Sequence, residues 1–357
     1  MMERVKQVAG YLAESGAGAM LVMQPENRLY LSGFTGSSGA VLVTENKSFL
    51  VTDFRYIEQA QQQSPHLEIY KLRETTEDTL ADIAGSLGLK SVAFEADYIS
   101  YHFYEKLKCK LKGVELIPVT GVVEQNRQVK DSSELLAIAR SMSLLDDGFN
   151  YICGRIKPGT SEKEIELELE TYLRKKGASG PAFPFIIASG PRSSLPHGTA
   201  TDRVIGYGDL ITLDYGVVFD NYNSDMTRTV AVGEPPAELK KIYSIVLEAQ
   251  LAGLAAVKAG VTASSADGAA RQVIESYGYG EYFGHGTGHG VGLAVHEAPR
   301  LSSRDNTVLR EGMVVTVEPG IYLPGVGGVR IEDSVVVEKD GCRVLTKSPK
   351  DKLIILS

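Results

Sequence analysis

Residues 284–297 of this chain read GHGTGHGVGLAVHE, a stretch that holds three of the protein's six histidines and five glycines. Glycine lets a backbone adopt positive φ or approach another group closely. Imidazole is the commonest metal ligand in proteins and carries protons near neutral pH. On its own the stretch has two interpretations, a glycine-rich loop with solvated histidines or a functional site. The carboxylates on either side of it decide between them.

A first pair of carboxylates lies in the sequence before this loop. Segments 210–218 and 224–232 are β-prone, and the turn-forming Asp220 lies between them. A hairpin centred immediately before Asp220 predicts that Asp214 lies opposite Asp225, at a Cβ separation of about 5 Å. The flanking residues are hydrophobic, so both carboxylates would be poorly solvated. A buried pair of this kind needs a shared proton or a cation.

A second pair follows the loop. Two β-prone segments flank Gly325, and a hairpin centred on this glycine places Glu318 near Glu332. Pro319 removes a donor for strand pairing, so we expect an edge or a bulge directly after Glu318. One acidic pair has a plain explanation in neutralisation by nearby lysines. Two pairs with a histidine loop between them favour a metal centre.

The donor set indicates the metal chemistry. Four carboxylates and an imidazole favour Mn²⁺, Co²⁺, Fe²⁺ or Zn²⁺ over a metal that thiolates would select. Their combined charge suits two divalent ions, which at about 3.5–4 Å apart share bridging carboxylates and a water of lowered pKa. Such a water is a source of hydroxide, so the sequence points to hydrolysis.

Composition limits the class of protein. A chain of 357 residues with 43% hydrophobic and 23% charged residues is typical of a globular protein of two domains. We expect no membrane span, because no run of about 18 apolar residues occurs, and the first residues predict an amphipathic helix rather than a signal peptide. The net charge of −8 argues against nucleic-acid binding. Three scattered cysteines fit a reducing cytoplasm.

The first part of the chain alternates between strands and helices. Helical patterns at 77–87 and 99–111 lie between β-prone runs, which is typical of an α/β domain. Asp53 lies at a strand-to-helix junction, where a capping role is favoured over catalysis. We place an α/β domain at 1–127 and a second domain at 128–357. The predicted strands of the first domain are 19–23, 40–44, 49–52, 67–70, 91–94 and 114–119.

The second domain contains an internal repeat. Segment 157–177 has a counterpart at 258–278, with a lysine, two glycines and a Ser161 or Thr262 cap at one constant offset. Ser161 and Glu164 form a predicted capping box. Since each copy follows a long helix and precedes β-type sequence, we predict an α+β domain formed by a duplicated helix-helix-sheet unit. The preceding helices are predicted at 132–156 and 238–257.

These motifs also resemble a known family. The chain is similar to the creatinase/methionine-aminopeptidase superfamily, whose fold is called pita-bread, and within it to the proline-specific branch of Xaa-Pro dipeptidases (prolidases) and aminopeptidase P. The likeness covers the whole second domain, and the smaller first domain also matches this branch. The motifs that carry it are LDYG at 213–216, SDMTRT at 224–229, GTGHGVG at 286–292, HE at 296–297, VEPGIY at 317–322 and VRIED at 329–333.

The resemblance implies a set of metal ligands. Asp214 would bind one ion, His289 and Glu318 would bind the other, and Asp225 and Glu332 would bridge the two. Glu318 would also accept a proton from the attacking water and pass it toward the leaving nitrogen.

The resemblance further implies contacts with the substrate. His197 and His296 would bind the substrate or stabilise the tetrahedral intermediate, and His285 would support the site. Arg330 would take part in catalysis by hydrogen-bonding a ligand, and Arg300 would bind a substrate carboxylate. Taken alone, His197 also fits a loop histidine packed on the preceding proline, and Arg300 fits a surface arginine.

The predicted activity is hydrolysis of the Xaa-Pro bond at the N-terminus of short proline-containing peptides. The two arginines and the short chain favour a dipeptidase over an aminopeptidase P. Creatinase-type enzymes do not use the metal set, methionine aminopeptidases usually lack the first domain, and non-catalytic relatives have lost ligands. We expect two divalent ions, Mn²⁺ first among them, and a cytoplasmic homodimer with no nucleic-acid or membrane partner.

Overall fold

A computed structural model describes all residues from 1 to 357. The chain forms two compact units, Met1–Arg127 and Gln128–Ser357. None of its helices combines the length and the apolar character needed to cross a membrane.

The first unit is built on one six-stranded mixed sheet in the order β4-β3-β2-β1-β5-β6. The strands are β1 Ala19–Val22, β2 Ala40–Thr44, β3 Ser48–Thr52, β4 Glu68–Lys71, β5 Ser91–Glu95 and β6 Glu115–Val119. The helices are α1 Met2–Ser15, α2 Pro25–Ser32, α3 Ile57–Gln63, α4 Thr76–Leu87, α5 Tyr101–Lys110 and α6 Val122–Gln128.

The sequence pattern accounts for this first sheet. The predicted strands agree with the observed ones to within one residue at each end, because their apolar runs are bounded by turn or helix signals. Strands β1, β2, β3 and β5 are largely buried, whereas the edge strands β4 and β6 are only partly so. The α/β prediction is therefore confirmed. Asp53 caps a short 3₁₀ turn by accepting a hydrogen bond from the backbone N–H of Arg55 at 3.0 Å, which confirms its structural role.

The second unit contains four helices and fourteen short strands. The helices are α7 Ser132–Cys153, α8 Glu162–Lys175, α9 Ala237–Ala256 and α10 Ala263–Ser276. The strands are β7 Gly180–Pro181, β8 Ile186–Ser189, β9 Leu210–Tyr215, β10 Val217–Phe219, β11 Tyr222–Asn223, β12 Met226–Val232, β13 Gly288–Gly290, β14 Glu297–Leu301, β15 Val314–Val317, β16 Gly320–Leu323, β17 Gly327–Arg330, β18 Asp333–Val337, β19 Cys342–Val344 and β20 Ile354–Leu356.

These strands form two larger sheets and two small ones. The larger sheets have the orders β20-β12-β9-β8 and β14-β13-β15-β18-β19, and the small ones are β11-β10-β7 and the β16-β17 pair. Helices α7 and α8 bury Phe149 and Leu169 in the same apolar core as Tyr215 of β9. Burial of a large apolar side chain contributes about 1.5–3 kcal/mol, so packing of the helices on the sheet fixes the strand ends that carry functional groups.

The predicted internal repeat is visible in the hydrogen bonding. Ser161 and Thr262 cap α8 and α10 through their side chains, and the Ser161–Glu164 capping box is complete. In the two copies the corresponding glycines have φ of 92° and 87° and donate equivalent backbone hydrogen bonds. These bonds run from Gly159 N to Ile205 O at 3.0 Å and from Gly260 N to Leu309 O at 2.9 Å.

The predicted register of the first hairpin is wrong. The turn is centred between Asp220 and Asn221, whose φ angles of 49° and 68° are both positive, and Asp214 pairs with Thr227 rather than with Asp225. A two-residue hairpin loop with two positive φ angles matches the right-handed twist of the strands, and Asp and Asn tolerate it. Moving the centre by one residue shifts the pairing by two. Asp225 therefore stays on the same face as Asp214, as its diagonal neighbour.

The predicted register of the second hairpin is confirmed. The pairs Ile321–Val329 and Val317–Asp333 share the predicted centre at Gly325, although they belong to different sheets. Strand pairing is interrupted between these pairs, at the position where Pro319 cannot donate a hydrogen bond.

The interruption lets the hairpin bond to two other parts of the unit. The backbone N–H of Glu318 donates to Thr287 O at 2.7 Å, and that of Glu332 donates to Thr227 O at 3.1 Å. One hairpin therefore meets both the histidine loop and strand β12, which brings the two acidic pairs together.

Asn221 offers a test of the first turn. Asn221→Val should lower the free energy of unfolding by about 1–2 kcal/mol, because a β-branched residue resists the left-handed conformation. Asn221→Gly, the matched control, should change it little, because glycine adopts this conformation freely. Denaturant unfolding of both variants measures the difference, and equal destabilisation by valine and glycine would contradict the turn described here.

Candidate metal centre and active-site cleft

The second unit contains a cleft of about 850 Å³. Its volume falls in the range of about 300–1,000 Å³ that is usual for small-molecule sites. Phe183, Pro184 and Pro196 contribute apolar surface to it. The acidic residues, arginines and histidines that line it are His197, Asp214, Asp225, His285, His289, His296, Arg300, Glu318, Arg330 and Glu332. Every site residue predicted from the sequence therefore faces this one cleft.

The four carboxylates reach the cleft from places where strands begin or end. Asp214 lies one residue before the end of β9, and Asp225 directly precedes β12. Glu318 directly follows β15, and Glu332 directly precedes β18. The ends of four different strands therefore place these side chains in a common space.

His289 presents a lone pair to the acidic group. Its Nδ1 lies 3.1 Å from the carbonyl oxygen of Gly290, which can only accept, so Nδ1 carries the hydrogen and Nε2 does not. Nε2 lies 3.3 Å from Glu318 Oε1 and 3.5 Å from Asp225 Oδ2. Burial lowers the pKa of His289 to about 4, so the imidazole is neutral at neutral pH. A lone pair beside two carboxylate oxygens is stable only with a shared proton or a cation.

Asp225 and Glu332 complete this acidic group. Candidate ligand atoms of Asp225, His289 and Glu332 all lie within 4.8 Å of one another. Oε1 of Glu332 is buried without a hydrogen-bond partner, while Oε2 accepts from Thr227 Oγ1 at 2.8 Å. Burial raises the pKa of both carboxyl groups well above the usual range, and each is raised further by its acidic neighbours. An orphaned buried oxygen in an acidic cluster fits a divalent cation.

Glu318 is held by a threonine that also fixes the histidine loop. Thr316 Oγ1 accepts from the backbone N–H of His289 at 3.0 Å and donates to Glu318 Oε1 at 3.1 Å. Burial raises the pKa of Glu318 to about 7. In the metal-free protein this carboxyl group therefore gains or loses a proton near neutral pH.

Asp214 belongs to a chain of hydrogen bonds rather than to the three-residue cluster. Arg330 Nη2 donates to Asp214 Oδ2 at 2.6 Å, and its Nη1 donates to the Tyr322 hydroxyl at 2.8 Å. His285 Nε2 lies 2.8 Å from the Tyr322 oxygen, and His285 Nδ1 lies 2.8 Å from Gly286 O. The Tyr322 hydroxyl therefore donates to Nε2 of a neutral imidazole, in agreement with a His285 pKa lowered by burial to about 4.

Close packing explains Gly288 and Gly290 of the histidine loop. None of the five glycines in the loop has a positive φ. A Cβ on Gly288 would lie 1.9 Å from Thr316 O, and one on Gly290 would lie 2.5 Å from Ala298 O. The loop therefore needs glycine because neighbouring backbone approaches it on both sides, and this packing carries His289 to the carboxylates.

Three predicted substrate contacts are exposed along the cleft. The ring of His296 packs edge-on against that of His289, with centroids 4.4 Å apart, and partial burial on this side lowers its pKa. His197 lies on the loop between β8 and β9, and its side chain has no hydrogen-bond partner. The backbone N–H of Arg300 donates to Asp305 Oδ2 at 2.8 Å, so its strand is fixed while its guanidinium group is not. All three side chains are available to a ligand.

The sequence interpretation missed several supporting residues. Thr227 and Thr316 each lie two positions from a predicted carboxylate on an extended strand, so the two-residue period was a usable signal. Asp267 and Tyr322 gave no such signal. Asp267 is fully buried on α10 and accepts from the N–H and Oγ1 of Thr287 at 3.0 and 2.8 Å.

Comparison with known proteins places the chain among metallopeptidases. Residues 137–339 match the model of metallopeptidase family M24, and residues 4–129 match that of the creatinase/prolidase N-terminal domain. An Xaa-Pro dipeptidase of Pyrococcus horikoshii is 41% identical over 98% of this chain and 99% of its own.

Solved structures give the same result over nearly the whole chain. An Xaa-Pro dipeptidase from Bacillus anthracis has a TM-score of 0.97 and 46% identity, covering 99% of both chains. An X-Pro aminopeptidase from Thermotoga maritima has a TM-score of 0.89 and 42% identity, covering 95% of this chain and 98% of its own.

Gly288 tests the packing of the histidine loop. Gly288→Ala should lower the thermal unfolding midpoint clearly, because its Cβ would collide with the carbonyl of Thr316 and force two strands apart. Gly284→Ala is the matched control for stability, since a Cβ there meets nothing within 4 Å. Differential scanning calorimetry compares the two variants. If Gly288→Ala were as stable as Gly284→Ala, close approach would not be the reason for this glycine.

Proposed function

The chain belongs to metallopeptidase family M24 and is a peptidase, and from this membership we propose that it is an Xaa-Pro dipeptidase that uses two divalent metal ions. The observation that carries this proposal is the meeting of four carboxylates and the lone pair of His289 in one cleft. Xaa-Pro dipeptidase is also the name of relatives that match along almost their full length.

The proposed ligand set has five members. His289 and Glu318 would hold one ion, Asp214 would hold the other, and Asp225 and Glu332 would lie between the two. The orphaned Oε1 of Glu332 and the bare Nε2 of His289 support this arrangement. The Arg330 hydrogen bond occupies only Oδ2 of Asp214, so the other oxygen remains available as a ligand.

The residues around the ions would handle protons and charge. When bound, two divalent ions supply Lewis acidity and a water of lowered pKa. Glu318 would take the proton of that water and return it toward the proline nitrogen. This delivery matters because an amine anion departs poorly. His296 or His197 would donate a hydrogen bond to the oxygen that becomes negatively charged.

Substrate length distinguishes two candidate functions. A dipeptidase must bind the proline carboxylate directly behind the scissile bond. Arg300 lines the cleft with a guanidinium group that suits a carboxylate, whereas Arg330 is already engaged with Asp214 and Tyr322. The alternative function, an Xaa-Pro aminopeptidase, is favoured by the Thermotoga structure of that name. The complete ligand set argues against a non-catalytic binding module.

We also propose the identity of the metal, the cellular compartment and the oligomeric state. Oxygen-rich ligands with one imidazole support Mn²⁺ before Co²⁺, Zn²⁺ or Fe²⁺. Cys109, Cys153 and Cys342 form no disulfide, which supports a reducing cytoplasm. We further propose a homodimer, which the family resemblance implies.

The bridging role of Glu332 predicts metal dependence. Glu332→Gln removes one negative charge from between two cations and should lower kcat by roughly 100-fold or more. Bound metal should also fall when measured by atomic absorption. Glu338→Gln is the control, since Glu338 is exposed and pairs with Arg343 on the surface. A Glu332→Gln enzyme with near-normal kcat and no metal would rule out the mechanism.

Metal affinity should also depend on pH. The pKa of Glu318 is raised to about 7 in the metal-free protein, so below that pH a proton competes with the metal. Binding should release protons, and affinity should fall as pH drops through 7. His289, with a pKa of about 4, should not contribute in this range. Calorimetry in two buffers of different ionisation enthalpy counts the protons, and pH-independent binding would contradict the assignment.

The proposed binding of the proline carboxylate by Arg300 predicts a preference for dipeptides. A free Xaa-Pro dipeptide should be cleaved with a much higher kcat/KM than its C-terminal amide or an Xaa-Pro-Yaa tripeptide. Arg300→Gln should abolish the preference by lowering the dipeptide value about 10- to 100-fold, the usual effect of losing a hydrogen bond to a charged group. Arg304→Gln, an exposed neighbour, is the control. Equal cleavage of all three substrates would make the enzyme an Xaa-Pro aminopeptidase.

A further inference from the structure

The position of His197 is set by its loop alone. The loop runs from Gly190 to Asp209 between β8 and β9, and the His197 side chain has no hydrogen-bond partner. A group with no partner of its own can be held over a substrate only if its backbone is fixed. The contacts that fix the loop therefore determine the position of His197.

A single buried carboxylate ties the two stems of this loop together. Glu162, the first residue of α8, is fully buried. Its Oε1 accepts from the N–H and the hydroxyl of Ser189, both at 2.7 Å, on the incoming stem. Its Oε2 accepts from the N–H and hydroxyl of Thr201, at 3.0 and 2.7 Å, on the outgoing stem, and it forms an ion pair with Arg192.

The neighbours of Glu162 extend this anchor toward the cleft. Arg192 also donates to Thr199 O at 2.8 Å, which closes the loop two residues beyond His197. Ser193 Oγ accepts from the backbone N–H of Gly328 at 2.9 Å, so the incoming stem is attached to β17. The short span around His197 is therefore held from both sides.

The second copy of the repeat also has a buried helix carboxylate that accepts hydrogen bonds from a loop. Asp267 on α10 is fully buried and accepts hydrogen bonds from Thr287, two residues before His289. The repeat helices α8 and α10 thus each supply a buried carboxylate to a loop that carries a histidine of the cleft. The two acids occupy different positions along their helices, so the role does not follow from the repeat alone.

We propose that Glu162 is a positioning residue that acts on catalysis through His197. The proposal deepens the proposed function and rests on it, because it assumes that His197 contacts the substrate. All five partners of Glu162 are donors, and they occupy both of its oxygens. Glu162→Gln would place an amide N–H₂ against donors on one stem, which releases that stem while leaving the size of the side chain unchanged.

The test is a double-mutant cycle between Glu162 and His197. Glu162→Gln should lower kcat/KM on an Xaa-Pro dipeptide by about tenfold, a usual effect for groups that orient an active-site residue. In the His197→Ala background the same substitution should have almost no further effect. Equal losses in both backgrounds would mean that Glu162 does not act through His197, and a His197→Ala enzyme with normal kcat/KM would equally overturn the proposal.

Hydrogen–deuterium exchange gives a readout that does not depend on activity. Glu162→Gln should speed exchange in residues 190–203 and leave residues 284–292 unchanged, whereas unchanged exchange at 190–203 would overturn the proposal. Glu170→Gln is the control, since this half-buried residue of α8 pairs with Arg174. If Glu162→Gln fails to fold, Arg192→Gln takes its place, because Arg192 is partly exposed and four donors to Glu162 remain.

The two proposals fail in different ways. A wild-type enzyme that cleaves no Xaa-Pro peptide would refute the proposed function, whatever the exchange data show. An active wild type with additive effects in the cycle would refute only the role of Glu162.

Discussion

Mutual repulsion among buried acids is the constraint on which the second unit depends. Asp225, Glu318 and Glu332 share a small space with Asp214, and burial, together with the charges of neighbouring acids, raises the pKa of the first three. Removing a charge from water costs several kcal/mol unless it is paired. The fold holds these groups together despite this unfavourable free energy. A cation that neutralised them would relieve the repulsion, and the relief would contribute to the free energy of metal binding.

The side chains around the acids stabilise them through hydrogen bonds and ion pairs. Arg330 neutralises Asp214, and Thr227 and Thr316 each supply a hydroxyl to one glutamate. Arg228 is almost fully buried and donates to Asp333 beside Glu332 at 2.8 Å, where Lys350 also pairs with the same carboxylate. Rigid positioning of ligands in this way is what a metal site requires, because a loosely held acid would turn toward water or take a proton.

The sequence predicted the components of this arrangement better than their junctions. The strands and the capped repeat helices follow from apolar periodicity and from side-chain caps such as Ser161, which are local properties. The register around Asp220 was predicted wrongly because the local sequence does not distinguish between two-residue turns whose centres lie one residue apart. The face of Asp225 was still predicted correctly, since the resulting error in pairing was even. Contacts such as Asp267 with Thr287 join distant segments, and no periodic pattern reveals them.

The packing of the histidine loop divides the cleft into two parts of unequal tolerance to sequence change. Along the metal-facing wall, backbone atoms lie so close to Gly288 and Gly290 that even a methyl group does not fit. At the rim that carries His197, Leu195 and Pro196 are exposed to solvent. Libraries built to change substrate preference would therefore yield folded enzymes when the substitutions are placed at Leu195 and Pro196. Substitutions of Gly288 or Gly290 in the histidine loop would instead produce variants that misfold, and these could not be selected for activity.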